Sequence, residues 1–293
     1  IVWSSKIFNN SFTEIGVMLT MGHGMVTRRQ FIGIVGAGLV GETMGFAAEP
    51  APGLRKRMAV VTTEWRYHSH AWHMAERFLV AYPNHGRWHR PSLDVVAAYV
   101  DQSPRNDLSR KRSAEFGFPI FPTIAQALRC GGDKLAVDAV LIIGEHGNYP
   151  KSEFGQTKYP RYEFFKQVTD VFRKDGRAVP VFNDKHLSWK WEWAKEMVET
   201  SRELNFGFAA GSSLSTLFHL PPNPNVVYSA ALMSKAEETF LTGKSPCPIE
   251  RTLLTSGLVE AGMRSLGTGQ KRLETPHLGV RYQVPPQSTF WRT

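Results

Sequence analysis

Apolar and polar positions alternate along this chain in two rhythms. Largely apolar runs at residues 58–63 (MAVVTT), 93–100, 119–121, 139–143, 179–182 and 206–210 have the length of buried strands. Between them, apolar residues recur every three or four positions, as on one face of a helix. Residues 70–82 carry Ala71, Met74, Ala75, Phe78 and Leu79 on such a face; 107–116 and 162–174 are also helical. Residues 123–130 form a helix capped by Thr123 and ended by Gly131-Gly132. A further helix carries Leu187, Trp191, Ala194, Met197, Val198 and Leu204, with Ser188 as its expected N-cap. Strands alternating with helices predict an α/β fold built on a doubly wound parallel sheet.

In such a sheet the loops after the strands open at one edge, where ligands bind. The polar residues at strand ends are therefore the candidate site. They are Thr62 and Thr63, Asp101, Glu145 and His146 in the stretch GEHG, and Lys185 and His186 in the cluster Asn183-Asp184-Lys185-His186.

Composition narrows the classes. The chain has 293 residues with 42% hydrophobic content, enough to bury a sizeable core. A net charge of +9 raises nucleic acid as a partner, but the basic residues are scattered, and a nucleic-acid groove needs clustered charge with stacking aromatics. Nucleic acid is excluded as a partner on that ground. The two cysteines, Cys130 and Cys247, form no CxxC and no metal-ligand spacing.

Residues 1–24 have neither period nor motif and read as an upstream or non-native segment, with Met25 the natural start. Thr27-Arg28-Arg29-Gln30-Phe31-Ile32 then matches a twin-arginine pattern, and an apolar stretch and the small residues Gly45, Ala47 and Ala48 follow. Residues 25–57 read as a Tat export signal and linker, which places the mature protein in the periplasm or outside the cell, with the Tat machinery as a partner. Gly36-Ala37-Gly38-Leu39-Val40-Gly41 within that signal also matches G-x-G-x-x-G, but Pro50 and Pro52 cut the helix that such a turn should open.

The order of a first strand, a second strand ending in Asp101, then DAVLIIGEHGNYP and VFNDKHLSWKWEWAKEM, resembles the Gfo/Idh/MocA oxidoreductases. Their strand-end Glu-Lys-Pro signature falls on Asp184, Lys185 and His186, so that only the lysine is kept. Residues 236–274 also resemble the family's late helix and closing segment. The resemblance implies a Rossmann-like nucleotide-binding domain at 58–211, followed by an incomplete α+β C-terminal segment, a truncated substrate domain, at 212–293. It implies NAD or NADP as cofactor, held by Thr62, Thr63, Asp101 and Glu145, with Asp101 on the adenosine ribose. It implies oxidation of a small sugar or polyol, with Lys185 positioning the substrate hydroxyl and His186 or His146 accepting its proton. A homo-oligomer is the association considered. The first strand runs into Thr63-Glu64-Trp65-Arg66-Tyr67-His68 rather than a glycine-rich turn, and glycines let a backbone approach a pyrophosphate.

Two other classes stay open. His68, His70 and His73, with Glu64 ahead of them, could serve a metal-dependent hydrolase. No metal is assigned in the leading reading, in which these are surface and capping histidines. A non-catalytic binding protein that has lost its cofactor loop is the third.

Overall fold

A computed structural model of the chain describes residues 55–84, 87–211 and 226–283, and the side chains of 229–283 within the last span. The signal, the G-x-G-x-x-G stretch and residues 212–225 lie outside the described residues.

Strand β1 (Lys56–Thr62) is buried from Met58 onward and has no polar residue between Met58 and Val61, so it can lie only at the centre of a covered sheet. It pairs in parallel with β4 (Leu93–Val100) on one side and β5 (Ala139–Ile143) on the other. Beyond β5 come β6 (Val181–Asp184) and β7 (Phe208–Gly211), also parallel. The order is β4-β1-β5-β6-β7. Residues 119–121 add one parallel bridge outside β4, where the Ala98 amide donates to the Pro119 carbonyl (3.0 Å) and the Phe121 amide to the Ala98 carbonyl (2.8 Å). Counted with that bridge, the sheet has the doubly wound Rossmann-like strand order, whose direction of winding reverses between β1 and β5.

The period of two along β1 sends its residues to opposite faces. Met58 and Val60 pack with α1 (His70–Val80) through Ala71, Met74 and Phe78. Ala59 and Val61 pack with α3 (Ile124–Arg129), α4 (Arg161–Asp175) and α5 (Trp191–Glu203) through residues such as Leu128, Phe165 and Met197. Between β4 and α3, α2 (Ser109–Phe116) ends at Gly117 in the left-handed region. Thr123 caps α3 as expected, its side chain accepting from the Gln126 amide.

Three features depart from the sequence reading. A short antiparallel hairpin, β2 (Tyr82–Asn84) and β3 (Arg87–His89), separates α1 from β4. The helix after β6 begins at Trp191 and not after Ser188; Ser188 only accepts from the Lys190 amide (3.3 Å), and the first helical amide, that of Trp191, is taken by Glu260 from the tail. The described part of the tail is helical, with α6 (Val226–Thr242), α7 (Ile249–Gly267) and a turn at Pro276–Leu278. Helix α6 adds Met233, Ala236 and Phe240 to the α1 side of the core, and Leu253 of α7 joins the other side. Gly207, at the entry to β7, lies so close to the end of α6 that a Cβ would run into the Gly243 carbonyl.

Candidate functional site

Parallel strands end together, and here their ends are tied by hydrogen bonds. The Thr63 amide donates to the Ile143 carbonyl (3.1 Å), and the Thr63 hydroxyl to the Glu145 carbonyl (2.5 Å). The amides of Asp101 and Gln102 donate to the carbonyls of Thr62 (2.9 Å) and Thr63 (2.8 Å). Thr62 itself is fully buried, its hydroxyl turned to the Glu64 carbonyl. Asp101 is exposed and accepts from two phenols, those of Tyr99 and Tyr149, each at 2.6 Å.

Across the reversal point lies a denser cluster. Asp184, the last residue of β6, is wholly buried; one oxygen accepts from the Lys185 amide (2.7 Å), and the other lies 2.6 Å from His70 Nδ1. His70 is the first residue of α1, and Ser69 caps that helix behind it. Burial alone would lower the His70 pKa, but the Asp184 carboxylate, helped by Glu145, outweighs it and holds the imidazole above its ordinary value. Glu145 pairs with Arg161, whose side chain is 4% exposed. Gly144 makes room for that arginine, since a Cβ there would strike its Cγ.

His146 follows at φ 72°, a left-handed conformation uncommon for a residue with a side chain, and its ring meets the His70 ring edge-on at 5.1 Å. Its Nδ1 is buried without a hydrogen-bond partner. Burial, then the charges of His70 and Arg66, push its pKa down to about 4. His186 is likewise held at about 4, by burial and then by Arg161 and Lys185. Thr63, Glu145, His146, Lys185 and His186 thus all follow strand ends at the carboxyl edge of the sheet, with Asp101 on the β4 side of the same edge.

The histidine cluster of the sequence splits. His68 stacks on Tyr67 (4.0 Å) and on His73 (5.9 Å), whereas His70 turns to Asp184. Among the described residues, the group whose ligand atoms converge is His70, Glu145 and Asp184, all within 4.8 Å of one another. The sequence reading did not join His70 to Asp184 or Arg161 to Glu145. The one signal available was that His70 opens the helix directly after β1, which puts it at the strand-end edge.

The β1–α1 turn does not fit a dinucleotide cradle. It contains no glycine, and Thr63, Trp65 and Ser69 are fully buried. The Trp65 ring stacks with Phe118 at 5.8 Å, and the Ser69 hydroxyl accepts from the amides of Arg66 (3.1 Å) and Trp72 (3.3 Å). The amides of Thr63, Arg66 and Ser69 are already bonded, and Thr63 to Trp65 are buried, so this part of the turn offers a pyrophosphate no open backbone. Asp101 stands at the strand end where a ribose-binding acid sits, its oxygens engaged by the two tyrosines.

No protein-family profile and no curated protein matches the chain. Among solved structures it is similar to UDP-N-acetylglucosamine 3-dehydrogenase from Acidithiobacillus ferrooxidans, with 17% identity over 53% of this chain and 38% of that one, at a TM-score of 0.33. It is similar to myo-inositol 2-dehydrogenase from Lactobacillus plantarum, with 14% identity over 53% and 36% of the two chains and a TM-score of 0.34. A third is biliverdin reductase from Synechocystis, in complex with biliverdin and NADP+, with 14% identity over 54% and 38% and a TM-score of 0.35. The chain spans well under half the length of each. The mixed α/β, Rossmann-like fold assigned to it stands on its own sheet order.

Proposed function

We propose that the chain is an oxidoreductase of the Rossmann type acting on a small hydroxylated substrate of the sugar or polyol class. The observation that carries this is the convergence of Lys185, His186, His146, Glu145 and Thr63 at the carboxyl edge, where the strand order reverses. In this reading residues 58–211 form the nucleotide-side domain and 212–293 complete the substrate side. Oxidising an alcohol removes a hydride from carbon and a proton from oxygen. The proton half belongs to the chain's own residues: the Lys185 ammonium holds the hydroxyl oxygen, and the neutral imidazole of His186 takes the proton. NAD or NADP would supply the hydride acceptor, and the glycine-free turn is the feature that speaks against it. Export by the twin-arginine pattern at Arg28 and Arg29 belongs to the same proposal.

The test is extraction of the purified protein by denaturation, with absorbance and mass of the released small molecules, together with fluorescence titration by NADH and NADPH. Bound or titratable nicotinamide nucleotide supports the reading; its absence in both assays overturns it. A second reading, a metal-dependent hydrolase, is favoured by the convergence of His70, Glu145 and Asp184.

A further inference from the structure

We infer that His70, Glu145 and Asp184 form a binding site for one first-row divalent cation of the zinc class. Their ligand atoms come from the start of α1, the loop after β5 and the end of β6, and lie within 4.8 Å of one another. An ion with bonds of about 2.0–2.2 Å spans ligand atoms up to about 4.4 Å apart, so the side chains need close on it by only a few tenths of an ångström. One imidazole nitrogen with two carboxylate oxygens is a borderline donor set, suited to zinc, cobalt or manganese rather than to calcium.

The ligands are also held from behind. The second oxygen of Asp184 accepts from the Lys185 amide at 2.7 Å, and Glu145 is gripped by the nearly buried Arg161. Such outer bonds orient metal ligands. The wholly buried Asp184 meets the His70 imidazole at 2.6 Å, and a divalent ion would take the place of the proton between them. His146 flanks the site, its ring packed on His70 at 5.1 Å. Glu64, beside Arg66, and the imidazole of His73 complete the titratable surroundings. The inference does not depend on the nucleotide reading and stands or falls separately from it.

The full chain, stripped with a chelator and dialysed, is titrated with Zn2+ by calorimetry as wild type, His70→Gln, Glu145→Gln and His68→Gln, with circular dichroism to check each fold. The expected result is one Zn2+ per chain, weakened more than about tenfold in His70→Gln and in Glu145→Gln, since even outer bonds around a metal are worth that much. His68→Gln, in the cluster that stacks away from the site, should bind as wild type. Glu145→Gln keeps an oxygen for Arg161, so it carries the test if His70→Gln fails to fold. No binding by wild type overturns the inference. So does equal binding by all the variants, or loss confined to His68→Gln.

Discussion

Replacing Glu237 of α6 by leucine should destabilise the protein more than any conservative surface change. Its carboxylate, in a residue 4% exposed, accepts from the Tyr82 hydroxyl (2.6 Å), from His89 Nε2 (2.8 Å) and from the Ser92 amide (2.6 Å). It thereby ties the tail to the β2–β3 hairpin. Burial would raise its pKa, but these three donors outweigh that and hold it below the ordinary carboxylate value. Leucine fills much of the space and strands the donors. Each buried donor left unpaired costs about 1–3 kcal/mol. His89 is 35% exposed and can turn to water, so the loss falls mainly on Tyr82 and Ser92 and sums to about 3 kcal/mol. At about 2–4 °C per kcal/mol for a domain of this size, Tm should fall by about 6–12 °C. The sign with pH is also set. A carboxylate whose folded pKa is depressed stabilises fully above its unfolded value of about 4.3, and that contribution is lost as pH falls through the folded value. Urea denaturation of wild type and Glu237→Leu at pH 7 and again at progressively lower pH measures both. A difference under about 0.5 kcal/mol at pH 7, or one that grows as the pH drops, would refute the account.

Three further outcomes are expected. Lys185→Met keeps the bulk of the side chain and removes its charge, so turnover of the alcohol substrate, once found, should fall by about two orders of magnitude or more with little change in melting temperature; full turnover would remove Lys185 from the site. Gly207→Ala drives a methyl into the Gly243 carbonyl and should cost about 2 kcal/mol, whereas Gly262→Ala, in α7 with nothing within 4 Å of the added carbon, should gain about 0.5–1 kcal/mol; equal melting temperatures for the two would contradict the placement of β7 against α6. Changing Arg28 and Arg29 to lysine together should retain the precursor in the cytoplasm on fractionation, and unchanged export would dismiss the Tat reading.

What the sequence by itself determined is local. Residues 58–61 and 139–143 are apolar without interruption because both faces of a central parallel strand are covered, so composition alone marks them as strands. Thr123 is legible as a cap because its partner, the Gln126 amide, is only three residues away. Placing Lys185, His186 and Glu145 at strand ends needed only the rule that parallel strands finish at one edge. Tertiary structure decided the rest. The hairpin strands Tyr82–Asn84 and Arg87–His89 are too short to show a period, and Pro83 breaks even that. Helix α5 starts where Glu260 meets the Trp191 amide, and Glu237 reaches Tyr82 across 155 positions of sequence. His70 meets Asp184 across 114 positions, which separates it from its sequence neighbours His68 and His73. Periodicity records which face of an element is buried. It carries no term for which distant side chain stands opposite, because that is set by strand order and by the packing of α6 and α7 onto a sheet already formed.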